Sequence, residues 1–225
     1  MLENYPEVEI VDEAVNADEA MEKINLHQPD LIFLDIQMPG KSGFDLLEQL
    51  DRVPYVIFTT AYDEFALKAF DFNALDYLLK PVQEDRLRES IQKAQTMLKK
   101  AAETSVDAQD QVRTLKITDQ VFVKDGDRCW FVKLEDVRLF ESDGNYIKVY
   151  FHNFKPMIHK SLNALDERLD DRSFFRASRK HIVNLSWVES IETWFNGGLL
   201  VQLKGGEKVE VSRRQAARFK EKMSL

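Results

Sequence analysis

Apolar residues in the first hundred positions fall into short solid runs, separated by stretches with a helical repeat. Leu31–Ile36 is almost continuously apolar, as expected of a strand covered on both faces of a parallel sheet. Val53–Thr60 and Leu75–Leu79 read the same way, and Val8–Val11 is a shorter strand candidate. Between them, Asn16 with Glu19 three residues on resembles a capping box at the start of a helix. Ser42–Leu50 places Leu46, Leu47 and Leu50 on one side, and Glu64–Phe72 forms a further helix. Asp85–Lys100 carries Leu87, Ile91, Ala94 and Leu98 as one apolar stripe. Strands alternating with helices predict an α/β domain with a doubly wound, flavodoxin-like parallel sheet.

The pattern then changes. Lys99–Gln111 is charged and rich in small residues, without apolar periodicity, which sets a first domain at 1–100, a linker at 101–111 and a second domain at 112–225. Short strands are expected at Arg113–Thr118, Val121–Lys124, Cys129–Lys133, Val137–Glu141, Tyr146–Phe151 and Lys155–His159. More follow at His181–Asn184, Val188–Phe195, Leu199–Leu203 and Lys208–Val211. Asp125-Gly126, Asn196-Gly197-Gly198 and Gly205-Gly206 mark hairpin turns. Tyr146–Phe151 alternates, with Ile147, Val149 and Phe151 on one face and Tyr146, Lys148 and Tyr150 on the other. Two helices interrupt, Ser161–Leu169 and Arg213–Met223, with Ser161 and Ser212 as their caps. The second domain is therefore mostly β.

Composition narrows the function classes. Hydrophobic residues make up 44%, enough for real cores, and the one cysteine, Cys129, allows no intrachain disulfide. No apolar run approaches the ~20 residues of a membrane helix, and no signal pattern opens the chain, so a cytoplasmic protein without membrane insertion is expected. The net charge of −8 argues against nucleic acid until it is divided. Residues 1–104 carry 10 Lys/Arg against 21 Asp/Glu, a net of −11, whereas residues 105–225 carry 21 against 18, a net of +3. That segregation fits a nucleic-acid-binding second half, although +3 alone is unremarkable. The histidines, His27, His152, His159 and His181, are scattered and form no metal-ligand cluster.

Doubly wound sheets gather function at the carboxyl ends of their strands. There Asp35 ends one strand, Thr60 the next, and Lys80 the third, just before Pro81. A carboxylate, a hydroxyl and an ammonium on one rim suit phosphoryl chemistry: nucleophile, product hydrogen bond and charge neutralisation. The stretches LIFLDIQMPGKSGFDLL, VIFTTAYDEFALKAF and NALDYLLKPV resemble the receiver domain of bacterial two-component response regulators. The resemblance implies that Asp35 is the phosphoacceptor, Thr60 the switch hydroxyl, Tyr77 the switch aromatic and Lys80 the phosphate-binding lysine. It also implies Mg²⁺ held by Asp35 and the backbone carbonyl of Gln37, a sensor histidine kinase as phosphoryl donor, and a homodimer on activation.

Receivers open with a strand ending in two adjacent acidic residues, then a helix, and this chain lacks that pattern. Asp12-Glu13 do not supply the pair, because only one helix separates them from the Asp35 strand, which makes Val8–Val11 the family's second strand. The receiver is expected to be truncated at its N-terminus, without first strand and helix. Intact Asp35, Thr60 and Lys80 favour truncation over a phosphorylation-independent variant.

Basic residues of the second half fall at segment ends: Lys148, then Arg176, Arg179 and Lys180, then Arg213-Arg214. Arginines on loops reach base edges and lysines neutralise phosphates, although any one of them could equally be a solvated side chain. No helix-turn-helix is visible. FESDGNYIKVYF, SLNALDERL, FFRASRKHIVNLSWVESI and VEVSRRQAARF resemble the LytTR DNA-binding domain, an all-β fold that reads DNA with loops. The resemblance implies promoter DNA as partner, with Asn145, Arg179 and Arg214 on bases and Lys148, Lys180 and Arg213 on phosphates. Ser178 stands where many members carry histidine. A protein-binding adaptor is the rival reading. An enzyme is disfavoured, because residues 112–225 pair no nucleophile with a base.

Overall fold

The computed structural model describes residues 1–61, 74–104, 114–126 and 128–223. They divide into two compact units. The first comprises Met1–Ala108 with Gln120–Phe122 and Arg128–Phe131, and the second takes Gln109–Asp119, Val123–Asp127 and Val132–Leu225.

In the first unit, β1 (Leu31–Asp35), β2 (Tyr55–Thr60) and β3 (Asp76–Leu79) form a parallel sheet in that order. Asp35 is level with Thr59, and Thr60 with Leu79, so the three strands end on one rim. The helices are α1 (Ala17–His27), α2 (Gly43–Gln49) and α3 (Glu84–Thr104). Asn16 caps α1 by accepting from the Glu19 amide. Glu19 in return accepts from the Val15 amide, one residue short of a full capping box. Ser42 and Asp45 do form the reciprocal box at α2. Leu46, Leu47, Val56 and Phe58 are buried in one apolar cluster, while Ile57, Leu78, Leu87 and Ile91 fill another with Tyr5. α3 runs four residues past the expected Lys100. The expected helix Glu64–Phe72 lies outside the described residues.

Val8–Val11 is a correction. The segment is not a strand, and Ile10 and Val11 are exposed. A four-residue segment with three apolar side chains is fixed as a strand only when a neighbouring strand takes up its amides, and none does so among the described residues.

The second unit holds a five-stranded antiparallel sheet, β8-β7-β6-β10-β9, and a three-stranded one, β11-β12-β13. The strands are β6 (Val137–Asp143), β7 (Tyr146–Phe151), β8 (Met157–Ile158), β9 (Phe174–Arg176), β10 (His181–Asn184), β11 (Val188–Thr193), β12 (Leu199–Leu203) and β13 (Lys208–Val211). A hairpin of β4 (Gln120–Asp125) and β5 (Arg128–Lys133) precedes them. Two short helices complete the unit, α4 (Leu162–Asp166), capped by Ser161, and α5 (Arg213–Lys222). Val201, Leu203, Val209, Val183 and Phe219 are fully buried in a cluster shared by both sheets and α5.

Three expectations change here. Among the described residues of Arg113–Thr118, only an isolated bridge from Leu115 to Leu169 appears, because Leu115 has no run of neighbours to extend a ladder. Lys155–His159 shrinks to two paired residues. Tyr150 is buried as well as Ile147 and Val149, so the alternation of β7 does not mark a solvent face along its whole length.

Candidate phosphoryl site and nucleic-acid interface

The register of the parallel sheet brings the rim residues together. Lys80 Nζ donates to Asp35 Oδ2 at 2.6 Å, reaching across the end of β2. The Lys80 amide donates to the Thr60 carbonyl at 2.7 Å, which ties the start of the loop after β3 to its neighbour. Thr60 is buried, 1% exposed, whereas Asp35 and Lys80 face solvent in part. Asp35 Oδ1 accepts from the Gln37 amide at 3.0 Å, so both carboxylate oxygens are held. Tyr77 is half-buried on β3 and packs against the cluster around Phe58. Gly43 opens α2 where a Cβ would lie 2.5 Å from the Asp35 carbonyl, so only glycine lets the helix start this close to the rim.

The donor set does not suit Mg²⁺. Among the described residues no three His, Cys, Asp or Glu side chains gather to hold a metal ion. Asp12 is engaged elsewhere, with Lys23 at 2.8 Å and His27 at 3.2 Å. Asp35 and one backbone carbonyl fall short of the oxygens that Mg²⁺ prefers.

Asp76, on β3, is a second carboxylate held by cations. It accepts from Ser90 at 2.6 Å and from Lys93 at 2.9 Å, with Arg86 at 3.3 Å. Burial pushes its pKa up, but the bonds from Ser90, Lys93 and the Tyr77 amide outweigh burial and hold it below the ordinary value. No sequence motif singles out Asp76, because its partners lie a helix away.

In the second unit, three segments meet on one edge. The turn between β6 and β7 carries Gly144 and Asn145, and beside it the Ser142 amide donates to the Lys180 carbonyl at 2.8 Å. The loop 177–180 in turn accepts, at the Ala177 carbonyl, from the Ser212 amide at 3.3 Å, and Ser212 opens α5. Asn145, Arg179, Lys180, Arg213 and Arg214 are all exposed there. Among the described residues, the side chains of Arg179, Arg213 and Arg214 make no ion pair, so their charges stay available. Lys148 differs, because its ammonium lies 2.5 Å from Asp143 and that bond raises its pKa. Ser212 sits at the N-cap without a side-chain cap bond, contrary to expectation. Its carbonyl accepts from Gln215 at 2.8 Å and Ala216 at 2.9 Å, which starts α5 without the hydroxyl.

Arg176 stands apart from the other loop cations. Its guanidinium donates to the carbonyls of Ser178 (2.7 Å), Leu162 (2.9 Å) and Arg179 (2.9 Å), and to Asn163 Oδ1 (3.0 Å). It is consumed in holding the loop. Beneath the same loop His181 Nδ1 meets Ser178 Oγ at 3.1 Å and Nε2 faces Glu141 at 3.7 Å. Desolvation keeps its pKa below the ordinary 6.5 while Glu141 pulls it up. Glu141 also accepts a short bond from the Tyr150 hydroxyl, whose pKa rises through burial and that carboxylate.

The response regulator receiver domain model matches residues 1–92, and the LytTR DNA-binding domain model matches residues 127–224. The Enterococcus faecalis sensory transduction protein LytT is 35% identical over 229 residues, covering 100% of this chain and 92% of the relative. The Bacillus subtilis LytT is 30% identical over 218 residues, covering 96% and 88%. A LytTR DNA-binding domain of a Bacillus cereus protein, described as a putative methyl-accepting/DNA response regulator, aligns with a TM-score of 0.45 and 24% identity, covering 47% of this chain and 97% of that one. With a parallel-sheet unit ahead of an antiparallel one and full-length relatives at this identity, the chain belongs to the response regulators built from a receiver domain and a LytTR DNA-binding domain.

Proposed function

We propose that the chain is a cytoplasmic transcription factor switched by phosphorylation, taking a phosphoryl group on Asp35 from a sensor histidine kinase and binding promoter DNA through its second unit. The observation that carries this reading is the meeting of three loop segments with five exposed polar or basic residues, Asn145, Arg179, Lys180, Arg213 and Arg214. Arg179, Arg214 and Asn145 reach base edges, and Lys180, Arg213 and Lys148 neutralise phosphates.

The rim supports the input half. A carboxylate oxygen of Asp35 attacks the phosphorus of a phosphohistidine. An O–P bond forms, the P–N bond breaks, and the departing imidazole takes up a proton. Lys80, 2.6 Å from Asp35, neutralises the phosphoryl oxygens and Thr60 supplies a hydroxyl to them. The added charge draws Thr60 in, repacks Tyr77 and biases the surface of β3 and α3 toward a homodimer partner. Two DNA-binding units then act on a repeated site at raised effective concentration. Among the described residues Asp35 has no second or third ligating side chain gathered beside it, which favours a second reading, a regulator that binds DNA without phosphorylation.

The test is labelling by a radioactive small phosphodonor together with DNA affinity. Asp35→Asn abolishes the label and leaves weak DNA binding that the donor does not change. Label retained by Asp35→Asn moves the acceptor elsewhere. No label in either protein, with DNA binding intact, selects the phosphorylation-independent regulator.

A further inference from the structure

Trp194 and Phe195 lie between β11 and β12, in a loop that presents large apolar side chains to solvent. Phe195 is 76% exposed and Trp194 36%, their rings meeting edge to face at 4.8 Å and 69°. The loop is held in place. The Trp194 amide donates to the Gly198 carbonyl at 2.9 Å, and the Gly198 amide to the Phe195 carbonyl at 3.2 Å. Its glycines press on the start of α5. A Cβ on Gly198 would lie 2.9 Å from the Val211 carbonyl, and one on Gly197 would lie 3.7 Å from Cγ and Cδ of Arg213. The aromatic pair therefore stands on a pinned turn whose glycines lie against Arg213, the first residue of α5, and it is no part of the buried cluster.

We propose that Phe195, backed by Trp194, is an apolar DNA contact flanking the arginines of α5, which extends the DNA-binding reading above and rests on it. A duplex offers apolar surface next to its phosphates in two places, the thymine methyl in the major groove and the deoxyribose face. An exposed ring on a pinned loop loses little conformational entropy on meeting either, because its backbone is already fixed. The neighbouring guanidinium groups bring the phosphates to it. Charge complementarity makes DNA the occupant.

The experiment uses the full chain and a duplex selected by it from a random library, with affinity measured across a salt series. Phe195→Ala binds about tenfold more weakly at every salt concentration, with the log–log slope unchanged, because no charge is lost. Replacing thymines one at a time by deoxyuridine identifies the source. One position that costs the wild type and spares Phe195→Ala marks a methyl contact, and no such position marks the sugar. Thermal melting confirms that the exposed substitution leaves the fold intact. Wild-type affinity in Phe195→Ala, with Arg214→Ala impaired, overturns the proposal and leaves the DNA-binding reading standing. A wild-type chain that binds no duplex at low salt overturns both. A Phe195→Ala chain that changes its association state without DNA assigns the ring to a contact between copies, which also overturns the proposal.

Discussion

Lys148 and Arg214 each bring one positive charge to the same edge of the second unit, but their surroundings separate them. Lys148 is locked to Asp143, whereas Arg214 projects from a backbone fixed by β13 on one side and α5 on the other. Arg214→Ala should cost about 1–3 kcal/mol on the selected site and little on scrambled DNA, relaxing preference at one base position. Lys148→Ala should weaken both duplexes alike and flatten the salt slope by about one unit, and Asp143→Asn should tighten both. A salt titration on the two duplexes checks all three variants, and equal losses for Arg214→Ala would make it a phosphate contact. Arg176 acts one step back. Arg176→Lys should lose most of the specific affinity that Arg179 supplies, because one ammonium cannot replace four directed bonds. The ratio of specific to scrambled affinity is the measurement, and a ratio unchanged by Arg176→Lys would show that the loop keeps its shape unaided. In the sequence, nothing local to Arg176 shows that its guanidinium is spent on the loop's own carbonyls while that of Arg179 is not. What separates the staple from the reader is β9, three residues at a sheet edge, too short to show a period.

Elements with a sustained pattern are legible, and those that depend on a distant partner are not. β1, β2, β7, β10 and β12 follow from apolar runs or alternation, and α2 from Leu46, Leu47 and Leu50 on one side. Val8–Val11 has the composition of a strand without a ladder to join, which no local pattern reports. β9 escapes for the opposite reason, since Phe174–Arg176 is extended because β10 pairs with it. At the rim, Asp35, Thr60 and Lys80 are readable because strand ends in a parallel sheet must coincide. The tight start of α2 is readable only in three dimensions. Gly43→Ala places a methyl against the Asp35 carbonyl, so α2 must shift away from the rim, at about 1–3 kcal/mol of stability. Chemical denaturation measures this. A stability equal to wild type would mean that the helix start relaxes freely.

The whole molecule separates its charges as it separates its tasks. The first half carries the negative balance, and in the second half Arg179, Lys180, Arg213 and Arg214 are exposed where three loop segments meet. Within that second unit a buried ion pair joins the two sheets in addition to their shared apolar cluster. Arg138, on β6, is 4% exposed and donates to both carboxylate oxygens of Glu207, at 2.8 and 2.7 Å, in the turn between β12 and β13. A third bond goes to the His152 carbonyl at 2.8 Å, and Gly205 has no Cβ to obstruct the guanidinium. Asn145 and Arg179 belong to the sheet on one side of this clasp and Arg214 follows the sheet on the other. The clasp turns the protein into a caliper of fixed opening. One extra base pair between the contacted steps moves them ~3.4 Å apart along the duplex and rotates them about its axis, a change that the jaws cannot follow. Footprinting on such lengthened sites should show protection of one step or the other, never both. A Glu207→Gln chain, its clasp loosened, should tolerate the longer spacing at the expense of its grip on the correct one.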